Sequence, residues 1–235
     1  MVLLMGGLSS LTSSHQSPLI SSENFTAFAL LHGNEFAVWR KGYESWVVLN
    51  WGINCNGVDA VYKNGSFFVV GTNGTIAVFD VDRCKISHIE MSPDIEIFPF
   101  GLTRIPFVND HCNLVFLKEN MLLVIPKFKP VKNMFGNRIT KTGFKIYEMN
   151  GNVCKWERIH SLGEHSLFIG AKSSSVICCC VADLVGCRPN CIYFTNFTYG
   201  AYFGIYNLSN KSIDLLPGNP PISYSHSVFV QPSPN

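Results

Sequence analysis

The chain has 235 residues, 47% of them hydrophobic and 14% charged, with a formal net charge of +2. That balance suits one domain with a well-buried core, or two small ones, and excludes a largely disordered chain. It also excludes a global charge field strong enough to draw the chain to nucleic acid or an acidic membrane.

The first 22 residues are Ser-rich, open on the short apolar run Met1–Leu8, and precede the first basic residue, Arg40. A secretory leader needs a basic start and an organellar presequence normally carries Arg, so residues 1–22 are expected to be a flexible N-terminal segment and residues 23–235 the folded domain. Organellar import stays open as an alternative. No apolar run approaches the roughly 18 to 20 residues that a spanning helix needs, and no membrane partner is expected. Aromatics make up 13% of the chain. Val, Ile and Phe cluster in short runs punctuated by Asn-Gly and Gly, without long helical periodicity, which predicts an all-β fold.

A repeat runs through the body of the chain. Val38-Trp39-Arg40 is followed by Trp46, Val78-Phe79-Asp80 by Ile86, Ile146-Tyr147-Glu148 by Trp156, and Ile205-Tyr206-Asn207 by Ile213. The step from aromatic to partner is 7, 7, 9 and 7 residues, the span of two short antiparallel strands and a tight turn. Copies are separated by 40, 68 and 59 residues, and the first interval matches the roughly 40 to 50 residues of a four-stranded propeller blade. Further strands are expected at residues 58–62 and 66–70 around Asn64-Gly65, and at 114–117 and 121–125 around Glu119-Asn120, as the inner halves of blades. Residues 92–110 and 126–142, rich in loop formers, read as insertions. A β-propeller of about four recognisable blades fits this pattern better than a sandwich, because each small sheet then buries its faces against its neighbours.

Nine cysteines, three of them consecutive at Cys178, Cys179 and Cys180, make a poor disulfide framework and favour a reducing compartment, cytosol or nucleus. Asn-x-Ser/Thr sequons occur at Asn24, Asn64, Asn73, Asn196, Asn207 and Asn210 and would be glycan acceptors in a secreted protein. Asn64-Gly65-Ser66 and Asn73-Gly74-Thr75 read more simply as hairpin turns in which Asn and Gly accept positive φ. Cys180, Cys187 and Cys191, with His165, fall short of the paired spacing of structural zinc, and packing of small apolar side chains is the stronger reading. His111 between Asp110 and Cys112 would have neighbours on opposite faces of a strand, so no catalytic pair is assigned there. With no phosphate loop, paired-His helix or nucleophile elbow, the chain is expected to be neither an enzyme nor a cofactor carrier.

Residues 127–145 carry Lys127, Lys129, Lys132, Arg138, Lys141 and Lys145 without an acid, interleaved with Phe128, Phe135 and Phe144. This segment reads as a basic loop. Loop cations are usually just solvated, but if any surface binds a partner, Lys127, Lys129, Lys132, Phe135, Arg138 and Lys141 are the candidates, for an acidic protein or, less favoured, for RNA. The loops around residues 92–107 are a second candidate surface.

From about Phe25 onward an ordered set of motifs resembles the plant KIB-type F-box-associated β-propeller domain. It comprises Trp46, Asp59-x-x-Tyr62, Asn64-Gly65, Phe67-Phe68, Gly74-Thr75-Ile76, Phe79-Asp80, residues 142–147 and Trp156. It continues with Leu162-Gly163, Phe168, Gly170, Cys187, Pro189, Asn190-Cys191-Ile192-Tyr193-Phe194 and residues 204–208. The resemblance implies a propeller whose signature residues Asp59, Tyr62, Gly65, Trp156, Leu162, Gly163, Phe168, Gly170, Cys187, Asn190, Cys191, Tyr193 and Phe194 are structural. It implies a protein-interaction module similar to the substrate-recognition part of F-box ubiquitin ligases, with an unidentified protein substrate or partner. Two departures stand out. The closing strand Val228-Phe229-Val230-Gln231-Pro232 lacks the family's tryptophan, and residues 1–24 leave no room for an F-box, so adaptor docking is not expected of this stretch alone. The alternatives are a secreted, lectin-like or carbohydrate-active propeller, supported by the sequons, and RNA binding through residues 127–145.

Overall fold

A computed structural model describes residues 2–5, 26–31, 33–52, 57–71, 75–89, 112–133, 136–150, 155–170, 176–180, 186–196 and 202–216. Every regular element among them is a strand, and they form four sheets. The first contains β1 (Val2–Met5), β2 (Thr26–Leu30), β3 (Glu35–Arg40) and β4 (Val47–Asn50) in that order. The second contains β5 (Gly57–Lys63), β6 (Ser66–Gly71), β7 (Ile76–Asp80) and β8 (Lys85–Ile89). In the third, β9 (Asn113–Leu117), β10 (Asn120–Asn133), β11 (Gly136–Asn150) and β12 (Lys155–Ile159) follow one another. The fourth runs β14 (Val176–Cys180), β13 (His165–Ile169), β15 (Cys191–Asn196), β16 (Tyr202–Asn207) and β17 (Ile213–Leu216). The chain divides into two compact units, Met1–Glu90 and Met91–Asn235, with two sheets in each.

The all-β, blade-like architecture expected from the repeat is present, and the repeat has a concrete meaning. Its copies lie on the last two strands of each sheet. Phe79 faces Ile86 and Tyr206 faces Ile213 in register, while in the first copy Val38 faces Val47, the residues next to Trp39 and Trp46. In the third copy the step is longer by two residues, and Trp156 accordingly opposes Met149. The expected inner strands are β5 and β6 and β9 and β10, although the β9–β10 turn falls at Lys118-Glu119, with Asn120 already paired to Leu117. Asn64 and Gly65 close the β5–β6 hairpin with φ of 48° and 80°, the two positive values that a tight turn matched to strand twist requires.

Two pairings depart from an antiparallel meander. β1 lies parallel to β2, which places Val2–Met5, inside the segment expected to be flexible, on the edge of the first sheet. β13 lies parallel to β15 and antiparallel to β14, which makes the fourth sheet five-stranded. Residues 92–110 and the closing strand at 228–232 lie outside the described residues.

In the first unit Phe28 stacks on Phe67 of the second sheet with centroids 4.3 Å apart and on Phe36 at 5.0 Å. Trp51, 2% exposed on the connection from β4 to β5, completes this core. A Cβ at Gly57 would lie 2.1 Å from the indole, so the sheet-to-sheet step needs glycine there. Arg40 donates to the Val81 carbonyl at 3.0 Å and His88 Nε2 to the Trp51 carbonyl at 2.5 Å, fastening the two sheets at their edges. In the second unit Phe144 of β11 meets Phe194 of β15 edge-on at 5.2 Å and Tyr206 of β16 at 5.7 Å. Gly204 faces Phe194 in register, and a Cβ on it would meet the ring at 2.4 Å.

Gly204→Ala is therefore expected to cost about 1–3 kcal/mol through overpacking, read as a lower urea midpoint at unchanged m-value. Adding Phe194→Leu to Gly204→Ala should return part of that loss, and a strictly additive double variant would contradict the contact.

Candidate functional site

The signature residues of the second half converge on the turn that precedes β15. Asn190 sits there in the left-handed region at φ 56°, a conformation Asn tolerates better than most residues. Its Oδ1 accepts the Leu162 N–H at 2.8 Å and its Nδ2 donates to Ser209 Oγ at 2.8 Å. Its backbone N–H donates to the His165 carbonyl at 3.0 Å, and its carbonyl accepts from the Leu208 N–H at 3.1 Å. One side chain and its peptide groups thus tie together the entry to β13, the start of β15 and the β16–β17 turn.

Ser166, fully buried, extends this knot: its hydroxyl donates to the Arg188 carbonyl at 2.7 Å and accepts the Cys191 N–H at 3.3 Å. The Arg188 N–H donates to the Tyr193 hydroxyl at 2.7 Å, Tyr193 stacks on Phe168 at 4.7 Å, and the Arg188 guanidinium pairs with Asp214 at 2.8 Å. Gly163 turns at φ 61°, while Leu162 and Gly170 are buried. Cys191 is buried and Cys187 half-buried, both as free thiols. Trp156 is buried in the third sheet. In the first unit Asp59 is buried with its Oδ1 accepting the Ala60 N–H at 2.8 Å, and the exposed Tyr62 leans on Phe67 at 4.9 Å. The structure therefore assembles Leu162, Gly163, Phe168, Cys187, Asn190, Cys191 and Tyr193 at one end of the fourth sheet, and keeps Asp59, Tyr62 and Gly65 in the second. Ser166, Arg188 and Asp214 carry no role of their own in the sequence reading, and Gly204 enters it only as part of the matched strand 204–208; a serine at a strand position flanked by apolar residues was the available signal for Ser166.

The segment expected to be a basic loop is strand. β10 and β11 pair from Leu122↔Glu148 to Asn133↔Gly136, with a bulge at Lys127/Phe128. β9 covers β10 only over Asn120–Val124, and β12 covers β11 only over Ile146–Asn150. Beyond these limits the two strands continue as a two-stranded ribbon carrying Lys127, Lys129, Lys132, Arg138 and Lys141. Pro126 and Pro130, which suggested a loop, sit within β10. Lys129, Lys132, Arg138 and Lys141 are described by their backbone, and Phe135 lies outside the described residues. Phe144 is 3% exposed and wedged against Phe194 and Tyr206, so it offers no face for a nucleobase to stack upon.

With this geometry in place, the chain matches the family model of the KIB1-4 beta-propeller over residues 9–213. It belongs to the KIB1-4 β-propeller family. Relatives come from Arabidopsis thaliana: an F-box protein 24% identical over 183 residues, which are 77% of this chain and 43% of the relative. The F-box/kelch-repeat protein KIB1 is 24% identical over 180 residues, 75% of this chain and 41% of KIB1. A third, also an F-box protein, is 33% identical over 78 residues, 32% of this chain and 20% of the relative. The chain thus spans about two fifths of the length of the first two relatives.

In this KIB1-4 β-propeller chain, the described residues contain no group of three or more His, Cys, Asp or Glu placed to hold a metal ion. His165 opens β13 and contributes its main chain to the knot; the backbone of Cys180 pairs with it, and His111 and Asp110 lie outside the described residues. Burial pushes the Cys191 thiol above its ordinary range, with Arg188 opposing, and burial likewise raises the Tyr206 hydroxyl, with Arg158 and a bond to the Phe144 backbone opposing. The arrangement fastens strands; its polar atoms are used on the protein itself.

Asn190→Ala should cost about 2–4 kcal/mol, because it removes two side-chain bonds and puts at positive φ a residue that tolerates that region less well than asparagine. Asn190→Gly keeps the backbone conformation and should cost less, and the reverse order in equilibrium unfolding would count against the clamp. A raised thiol keeps its proton in the folded state after the unfolded chain has lost it. Its stabilising contribution is then complete below about pH 8.5 and declines as pH rises through the folded value. Cys191→Ala should flatten the fall in unfolding free energy above about pH 8.5 relative to the parent chain.

Proposed function

We propose that this chain is the partner-recognition module of an F-box-type ubiquitin ligase receptor in plants and that the β10–β11 ribbon contacts the recruited protein. The observation that carries this reading is the ribbon itself: a two-stranded extension of a packed sheet, with six cations and no acid over residues 127–145. Binding segments carried on rigid scaffolds recur across interaction domains, and a one-sign surface selects partners by complementary charge. The names of the relatives as F-box proteins support the ligase context. The sequons at Asn207 and Asn210 fall at the β16–β17 turn, where their Oδ1 atoms accept the Ser209 N–H at 2.8 Å and the Ser212 N–H at 3.0 Å, so turn chemistry accounts for asparagine at both positions.

The test is quantitative crosslinking and mass spectrometry on the tagged chain expressed in plant cells, beside a variant with Lys129→Glu, Lys132→Glu, Arg138→Glu and Lys141→Glu. Protein crosslinks mapping to residues 127–141 in the parent should fall at least about tenfold in the variant at equal abundance and melting temperature. An unchanged crosslink pattern would refute the ribbon as the recognition element. Retention of RNA that falls linearly in log affinity with log salt would replace the protein partner with a nucleic acid.

A further inference from the structure

The two outer edges of the ribbon are not equivalent. Successive N–H groups along a strand point alternately to its two sides, and facing residues in an antiparallel pair either exchange both ladder bonds or neither. Pro126 and Pro130 of β10 face Phe144 and Ile139 of β11. Proline has no N–H, so each occupies a position whose N–H would point away from the partner strand. Both prolines therefore fall on the outer side of β10 and deprive that edge of donors at alternate positions. This is a recognised way to prevent strand addition. Pro130 and Ile139 do not exchange ladder bonds, so the Ile139 N–H also points outward, and by alternation so do those of Asn137 and Lys141. Over Gly136–Thr142, the outer edge of β11 contains no proline and has no paired strand among the described residues.

From this asymmetry we infer that the outer edge of β11, residues 136–142, accepts an extended acidic segment of a partner protein as an added strand. The inference rests on the ribbon being the recognition element and adds the mode and chemistry of binding. Main-chain bonds to the outward N–H and C=O groups give the added strand its affinity, and the cations of the ribbon select acidic side chains over basic ones. A nucleic acid has no backbone that continues a β-ladder, which is why the edge points to a polypeptide.

Fluorescence anisotropy of the full chain tests this with a labelled decapeptide of alternating threonine and glutamate. Three probes accompany it: its lysine counterpart, a fully N-methylated counterpart that keeps the charge and loses every N–H, and a single-stranded oligouridylate. Expected are saturable binding of the glutamate peptide and a loss of at least about tenfold on N-methylation, the order of effect of a few net hydrogen bonds. A similar loss is expected with Ile139→Pro, which removes an outward donor and leaves the ladder to β10 intact. Arg138→Glu with Lys141→Glu should weaken the glutamate peptide and not the lysine peptide. The N-methylated probe leaves the protein untouched, so the test does not depend on any variant folding.

No binding of the glutamate peptide, equal binding of its N-methylated form, or stronger binding of the oligouridylate would each overturn strand addition. These outcomes differ from failure of the broader reading, in which charge reversal leaves the cellular crosslinks unchanged.

Discussion

A strand has two faces; in β2 both are buried over most of their length, and in β6 Phe67, Val69 and Gly71 are buried on one face with Val70 on the other. Neither sheet can satisfy that demand alone, because a four-stranded sheet of such strands has no interior. Each must press a face against another sheet, and aromatic rings do most of the pressing. Phe28 on Phe67 joins the two sheets of the first unit, and Phe144 against Phe194 and Tyr206 joins those of the second. Rings at these separations fill the interlayer space only where the backbone opposite is bare. Gly57 beneath Trp51 and Gly204 beneath Phe194 supply that clearance.

The parallel pairing of β13 with β15 adds a second demand. A parallel neighbour cannot be reached by a tight hairpin, so the chain leaves β13, forms β14 on the far side and returns through residues 186–190. The return must be fixed at a point where no ladder fixes it. Asn190 does this with its positive φ and with bonds that tie its own turn to residues 162–165 and 208–209, and Ser166 bonds the Arg188 carbonyl and the Cys191 N–H. The signature that marks the family in this chain is therefore a solution to a connection problem, and the polar atoms of Asn190 and Ser166 bond to the protein's own chain. The β10–β11 ribbon, which we propose as the recognition element, is rooted by Phe144 in the core of the second unit and, among the described residues, outruns both β9 and β12.

Much of this architecture was legible because local chemistry and tertiary demand coincide. The β5–β6 hairpin is readable from Asn64-Gly65, since those two residues are among the few that accept the φ values the turn requires. The four aromatic anchors are readable because the last two strands of every sheet face similar packing, and the longer third copy differs by an offset of its tryptophan. Pro126 and Pro130 are breakers by composition, so the sequence reads the ribbon as a loop. Their effect depends on which side of the strand each N–H would face and on a bulge, neither of which is a property of single residues.

The sequence by itself determined the all-β class, the blade-like repeat, the strand hairpins and the family signature, because alternation, turn residues and short-range spacing are local quantities. Only the tertiary structure decided that β1 and β13 pair in parallel, that Asn190 ties its own turn to residues 162–165 and 208–209, that Gly204 makes room for Phe194, and that the basic segment is a paired ribbon with one guarded edge. Each of these depends on which distant strand lies alongside. The side-chain period reports how a residue alternates between faces and is silent about which strand its backbone meets.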